Sequence, residues 1–345
     1  MTGPGMTDGS VDADAIAVAR RVADEVLAPA ADALDRSGER PVAQLRALAD
    51  AGLYGLAGPA EAGGWDCDAA TSCGVVEILA AACLTTTFVW IQHHAVVRAL
   101  RRAADPRHGA LLAELCGGRR RGGVVLAALR PGPASPLARS TRGGWSLSGT
   151  VPWFTGWGEV DVALVAARAP DEQVLLALLD LASLDRTLRF VPERLLAVEG
   201  SSTGSLAFEE TPVGPDRVVG LEARGDWSDD VGLRLNGALG LGVASRCLAE
   251  LAGDRPHPEL DRLRARLHEV DGEGVASVRA AIAAFASRCA AALLAGQGSN
   301  GMRADGTAAR RYREAGFLLT FGQRPAIKAE LLERLGPGAS SRVDP

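Results

Sequence analysis

The spacing of apolar residues changes twice along this chain, and these changes constrain its fold more than any other feature of the sequence. Apolar residues recur every three or four positions from Ile16 through the first third of the chain, which predicts a series of helices. From Val124, short apolar runs alternate with Pro, Gly and Asp about every ten residues, a pattern typical of a small β-barrel or sandwich. Helical spacing returns after Trp227.

These two changes predict an α+β protein of three domains. We place an N-terminal helical domain first, then a central β-barrel-like domain, then a C-terminal helical bundle, since neighbouring elements of one type usually pack together. Arg142-Gly143-Gly144-Trp145 is typical of a hairpin turn within the central domain. The predicted bounds are residues 11–121, 122–222 and 223–336, between flexible ends at residues 1–10 and 337–345.

Charge and cysteine content exclude several classes of function. The chain has 37 basic and 42 acidic residues and a net charge of −5, so no basic surface is expected for nucleic acid. Its six cysteines include no CxxC pair and no metal-ligand spacing. The first ten residues lack a signal-peptide pattern, and no apolar run approaches the ~20 residues of a membrane span. We therefore expect a reduced, cytoplasmic protein that binds no metal, nucleic acid or membrane.

One segment combines residues that suit a planar ligand. The stretch PWFTGWG, residues 152–158, places two tryptophans and a threonine among glycines directly after a predicted strand. Flat apolar surface, a hydroxyl group and close backbone approach suit a heteroaromatic ring with hydrogen-bonding edges. The alternative is a core tryptophan beside a turn.

Other familiar motifs of catalysis are missing from the sequence. No phosphate-binding loop of the GxGxxG or GxxxxGK type follows a predicted strand, and no GxSxG elbow is present. His93 and His94 are adjacent and would project about 100° apart on a helix, so they cannot form an i, i+4 metal pair. The residues alone therefore assign no nucleophile and no metal site.

Four stretches occur in an order that resembles one enzyme family. They are VADEVLAPAADALDRSG with LRALADAGLYGLAGPAEAGG, then LRPGPAS, then GTVPWFTGWGEVDVALVAAR, and finally GSNGMRADGTAARRYREAGFLL. Together they resemble the acyl-CoA dehydrogenase superfamily over roughly residues 11–335. The resemblance implies the same helix–strand–helix fold, with FAD bound between the β-domain and the C-terminal bundle, and an acyl-CoA thioester as substrate.

The resemblance also implies which residues hold the cofactor. Thr155 would hydrogen-bond the edge of the isoalloxazine ring, Trp153 would pack against it, and Ser135 would approach the diphosphate. The residues that would line the ring are Trp153, Phe154, Thr155, Ala128 and Leu129.

The sequence departs from the family pattern at several cofactor positions. Leu129 replaces a hydroxyl residue and Arg130 replaces a glutamate. The R-x-x-F-G segment, whose arginine reaches the FAD of a neighbouring subunit, is deleted. The glycine motif offered to that subunit is represented by Ala295, Gly298 and Ser299. We therefore expect that the contacts this chain makes with the FAD of a neighbouring subunit are impaired.

The usual catalytic base is missing as well. Gly322 stands where most family members carry glutamate, and glycine cannot accept a proton. A minority arrangement, in isovaleryl-type enzymes, places the base on the first bundle helix, and the resemblance puts Asp230 there. The alternative reading of Asp230 is an acidic residue that stabilises the helix N-terminus.

Three functions follow from the resemblance. The first is α,β-dehydrogenation of an acyl-CoA thioester by an FAD-dependent enzyme with a degenerate or relocated base. The second is a non-catalytic or half-site subunit of a heteromer with a complete homologue, which the missing arginine segment favours. The third is a flavin-dependent monooxygenase or other tailoring enzyme on the same fold. A homo-oligomer or a hetero-oligomer is expected in each case.

Overall fold

The computed structural model describes residues 8–129, 135–183, 186–223 and 230–336. Most of the two ends that we predict to be flexible, and Arg130, therefore lie outside the described residues. The helices of the N-terminal part are α1 (Asp8–Val22), α2 (Ala28–Ser37), α3 (Val42–Asp50), α4 (Ala69–Ala82), α5 (Leu84–Ala103) and α6 (Gly109–Cys116).

Local sequence explains where these helices begin and bend. A wider turn over Ala23–Leu27 joins α1 to α2, and Pro29 lies at the start of α2, where its missing N–H costs little. Asp68 caps α4 by accepting a hydrogen bond from the Thr71 amide at 2.7 Å. The helical spacing of the first third is thus confirmed.

Among the described residues, the central strands form one mixed sheet of eight strands. They are β1 (Gly122–Val125), β2 (Leu137–Thr141), β3 (Gly144–Phe154), β4 (Val162–Arg168), β5 (Gln173–Asp180), β6 (Leu188–Pro192), β7 (Gly204–Val213) and β8 (Val218–Ala223). The order is β6-β7-β3-β2-β4-β5-β8, with β1 paired parallel to β4. Strands β2 and β3 form the predicted hairpin around Arg142 and Gly143. Cα atoms of β5 and β7 approach within 8 Å although these strands are not neighbours in the sheet, so the sheet curls around its own apolar face.

The C-terminal part is again helical. Its helices are α7 (Asp230–Ala252), α8 (Pro258–Glu269), α9 (Glu273–Gly296), α10 (Thr307–Leu318) and α11 (Pro325–Leu335). The α+β class and the helix–strand–helix order are therefore confirmed, while the domain bounds stay predictions. All six cysteines are free thiols.

Helix α9 corrects one expectation. Residues 274–296 are long and apolar enough to span a membrane, contrary to the expectation that no run approaches that length. Sixty-seven per cent of its most apolar window is buried, mainly against α7, α10 and α11. This helix is the core of the bundle, and its composition reflects burial in protein.

A buried ionic network joins the last helices to the first. Glu314 on α10 accepts hydrogen bonds from Arg310 at 3.2 Å and Arg311 at 2.9 Å, and all three side chains are almost fully buried. Arg310 also donates to Asp32 on α2 at 2.7 Å, and Arg311 donates to the Ala81 carbonyl of α4 at 2.7 Å. The network fixes the C-terminal bundle against the N-terminal helices.

Candidate functional site

A cleft of about 940 Å³ opens where the N-terminal helices, the sheet and the bundle meet. Its walls come from α5, from β1 and the turn after it, from the end of β3, from the loop after β6, and from α7 and α10. A space of this size, walled by three parts of the fold, is typical of sites for cofactors and small molecules.

The end of β3 turns an indole into this cleft. The pairing of β3 with β7 shifts register between Val151 and Phe154, and Trp153 within this bulge has φ +66°. As a result the Trp153 side chain is 64% exposed and lines the cleft. Phe154 also borders the cleft but is 1% exposed, because its ring belongs to the interior of the sheet. The indole is therefore a cleft surface and not a core residue.

Thr155 brings a hydroxyl group to the same wall. It is buried and lies 3.0 Å from the Thr203 hydroxyl, which in turn lies 2.8 Å from the Ser201 hydroxyl. Thr155 and Thr203 both line the cleft. A chain of three hydroxyls can rotate its protons together, so Thr155 can either donate to or accept from a ligand.

Strained backbone supports this wall from behind. Val198 and Ser202 have φ of +52° and +50°, a region that a β-branched residue such as Val198 seldom occupies. The turn that they bound accepts hydrogen bonds from the amides of Gly156 and Trp157, through the carbonyls of Ser201 at 2.9 Å and Ser202 at 3.2 Å. Such strain persists only where the surrounding structure holds it, and it is concentrated at functional sites.

The remaining predicted cofactor residues are Leu129, Ala128 and Ser135, and Ser135 is not among the described residues that line the cleft. Leu129 lines the cleft, whereas Ala128 is buried beneath it and is not among the described residues that line the cleft. Ser135 is buried, and its hydroxyl has no hydrogen-bond partner among residues 8–129, 135–183, 186–223 and 230–336. An unpaired buried hydroxyl is unusual, and a bound phosphate oxygen would satisfy it.

The charged side chains in the described part of the cleft are all arginines. They are Arg98, Arg313 and Arg324, and none of the described lining residues is Asp, Glu, His or Cys. Arg313 forms an ion pair with Asp35. An acidic protein with a cationic cleft is suited to a ligand that carries negative charge.

Gly322 lies on the cleft wall directly above a buried guanidinium. Arg279 of α9 donates to the carbonyls of Gly322 and Phe321, and its Nη2 would lie 3.0 Å from a Cβ added at Gly322. Gly322 has φ +57°, a conformation that favours glycine. Sequence reasoning missed Arg279, because its place under Gly322 depends on how α9 packs against the end of α10.

Asp230 lies at the first position of α7, and its carboxylate accepts a hydrogen bond from the Gly272 amide at 3.3 Å. Gly232, Leu233 and Asn236 of the same helix line the cleft, while Asp230 is not among the described lining residues. Its role as a base stays a prediction. Within the described ranges, no group of three or more His, Cys, Asp or Glu side chains could hold a metal ion.

The sequence of this chain is similar to those of known proteins. Residues 13–115 match the family model for the N-terminal domain of acyl-CoA dehydrogenase. The human mitochondrial short-chain specific acyl-CoA dehydrogenase is 26% identical over 215 residues, which cover 60% of this chain and about half (52%) of that protein.

Solved structures share the fold over almost the whole chain. Butyryl-CoA dehydrogenase from Megasphaera elsdenii superposes with a TM-score of 0.82 at 17% identity, covering 96% of this chain and 98% of that one. Dibenzothiophene monooxygenase from Paenibacillus superposes with a TM-score of 0.75 at 18% identity, covering 94% and 98%. At these identities the structures establish the fold and leave the chemistry open.

Proposed function

We propose, from the premise that this chain belongs to the acyl-CoA dehydrogenase superfamily, that its cleft binds FAD and that the protein takes part in the oxidation of an acyl-CoA thioester. The observation that carries the proposal is the Trp153 indole, exposed on the wall of a cleft of about 940 Å³. A flat apolar face beside an open cleft of this size fits a tricyclic ring.

The residues around the indole fit the polar parts of the same cofactor. Thr155 and its hydroxyl chain can hydrogen-bond the ring edge, and the Ser135 hydroxyl, which has no partner among the described residues, would donate to a diphosphate oxygen. FAD held there would supply the acceptor for a hydride equivalent from the substrate. The chain's own part is to orient the ring against Trp153 and to exclude water through the apolar walls that α5 and α10 contribute.

In its catalytic form the proposal assigns proton abstraction to Asp230. This residue lies two positions before Gly232, which lines the cleft, so a small rearrangement at the start of α7 would bring its carboxylate closer. A catalytic group displaced by roughly 1 Å from its reactive position lowers the rate of the reaction by about a hundredfold.

A second candidate is a subunit that binds flavin but lacks its own base. The arginine-only charge of the described cleft favours it, as does the buried Arg279 beneath Gly322. In this form a complete homologue supplies the base, and the two chains assemble as a hetero-oligomer. We also propose that either form works in the cytoplasm.

Spectroscopy separates these functions. We expect the purified protein, alone or co-expressed with a homologous chain, to retain a flavin absorbance. Anaerobic bleaching of the flavin by an acyl-CoA, if it occurs in wild type and is lost in Asp230→Asn, supports the catalytic form. Bleaching only with the second chain supports the subunit form. Oxygen uptake with reduced flavin and no bleaching would instead indicate a monooxygenase, and failure to bind flavin in any form would refute the proposal.

A further inference from the structure

Phenylalanine side chains collect on the helical walls of the cleft. Aromatic residues make up 4% of the chain, and four of its seven phenylalanines line this one space. The ring of Phe154 belongs to the interior of the sheet, and the other three come from helices. Phe88 lies on α5, Phe317 on α10 and Phe321 in the turn after α10. A sequence poor in aromatic residues thus concentrates them beside an open space.

These three rings, which we call the phenylalanine cluster, pack together as one group. Phe317 and Phe321 stack nearly parallel, with centroids 5.4 Å apart and an angle of 13° between their planes. Phe88 contacts both rings edge-on, with centroids 4.8 and 4.9 Å away. Phe88 is 3% exposed, whereas Phe317 and Phe321 are half-buried and line the cleft. The cluster therefore presents the surface of two rings to a ligand.

Arg279 holds one of these rings in place from behind. Its guanidinium carbon lies 5.6 Å from the centroid of the Phe321 ring, within the range of a cation–π contact. The same guanidinium donates to the Gly322 carbonyl at 2.7 Å, so the turn that carries Phe321 is held as well. A side chain that is already fixed loses little conformational freedom when a ligand packs against it. The phenylalanine cluster is therefore a preorganised surface.

We propose that the substrate bound beside the flavin carries an aromatic ring, which packs on Phe317 and Phe321. Aromatic rings attract one another beyond the burial of apolar area when they stack or meet edge-on with centroids about 4.5–7 Å apart. A linear or saturated group gains only the burial. This inference names a class of substrate for the function proposed above and rests on that function for the position of the flavin.

Two small amides test the proposal without turnover. Phenylacetamide and cyclohexylacetamide share a neutral polar end and differ only in the ring. In titrations of the purified protein followed by saturation-transfer NMR, we expect the phenyl compound to bind about three- to tenfold more tightly. Burial of apolar surface alone predicts the reverse order, because the saturated ring has the larger apolar surface. Equal affinities, tighter binding of the cyclohexyl compound, or no binding of either compound would overturn the proposal.

Variants locate the ring contact. Phe317→Leu and Phe321→Leu keep an apolar side chain and remove the ring, so each should bring the ratio of the two affinities close to one. Phe190→Leu is the matched control and should keep the wild-type ratio, because Phe190 stacks on Trp157 outside the described cleft lining. Partial unfolding lowers the binding of both compounds alike, so the ratio separates the ring contact from stability, and a melting curve identifies any unfolded variant. A wild-type ratio in a folded Phe317→Leu or Phe321→Leu protein would contradict the assignment of that ring, and in both would refute the proposal.

Flavin titrations distinguish this inference from the proposed function. We expect phenylacetamide to bind the flavin-loaded protein without releasing the flavin. Release of the flavin would mean that the phenylalanine cluster holds the isoalloxazine ring itself, which would overturn the inference. If the preference for the phenyl compound is present and flavin does not bind, the proposed function fails while the aromatic site remains. If flavin binds and no preference is found, the inference fails while the proposed function remains.

Discussion

Replacement of Trp153 tests the flavin site most directly. A tryptophan side chain offers roughly 150–250 Å² of surface, and Trp153 is 64% exposed. A planar ring packed on one face would cover about half of what is exposed, on the order of 50–80 Å², worth about 1.3–2 kcal/mol at ~25 cal/mol per Å². We therefore expect Trp153→Ala to weaken FAD binding about 10- to 30-fold.

The backbone at this position provides a matched control. Trp153 has φ +66°, where a residue with a Cβ is strained by roughly 1–2 kcal/mol. Trp153→Gly should therefore be about 1 kcal/mol more stable than Trp153→Ala, while both bind FAD equally weakly. Trp65→Phe, at a half-buried indole outside the described cleft lining, should change the FAD Kd by less than about twofold.

The assays are quenching of flavin fluorescence on titration with apoprotein and urea unfolding of each variant. If Trp153→Ala and Trp153→Gly keep the wild-type Kd, the indole does not contact the flavin. If the loss of binding follows the loss of stability across the two variants, the indole acts through folding alone.

Three further predictions concern the network, the missing base and pH. Glu314→Gln leaves two guanidiniums buried without their shared carboxylate and should lower the free energy of unfolding by about 3–5 kcal/mol. The control Glu330→Gln, in a surface pair with Arg334, should lower it by about 0.5 kcal/mol or less. Equal losses in urea unfolding would contradict the role of the network. Gly322→Glu should bleach bound flavin with acyl-CoA no faster than Gly322→Gln, because a Cβ at this position meets the Arg279 guanidinium at 3.0 Å and the new carboxylate would pair with it. A rate about a hundredfold higher in Gly322→Glu would show instead that the carboxylate reaches the substrate and accepts its proton. Burial lowers the pKa of His93 to about 3, so below pH ~6.5 the unfolded chain takes up a proton that the folded protein excludes. The free energy of unfolding should therefore fall by up to ~1.4 kcal/mol per pH unit as the pH is lowered from 6 to 4. The fall should be less steep in His93→Asn, which keeps an acceptor for the Gly122 amide.

The order of elements could be predicted from sequence, because it depends on local pattern, whereas the residues alone left Trp153 open between a ligand surface and the core. Apolar spacing distinguished helices from strands, and glycines around Trp153 indicated a turn at the end of a strand. The register shift between Val151 and Phe154, which turns the indole outward, depends on pairing with β7 and could not be predicted.

The chemistry of the cleft depends on contacts between distant parts of the chain. Arg279 reaches Gly322 from 43 residues away, and no local pattern indicates that contact. Asp230 lies at the start of the first bundle helix, as predicted, but its role as a base stays a prediction, because which residues of α7 face the cleft depends on helix rotation, at about 100° per residue.

The buried network of α10 also determines when this protein can finish folding. Asp32 is bound by Arg310 and the Ala81 carbonyl by Arg311, and these arginines lie about 280 and 230 residues later in the chain. A ribosome releases the first helices long before it has made the helix that holds them. During synthesis the contacts that α2 and α4 make with α10 can therefore form only after more than 200 further residues have been added, and chaperones can act in that interval.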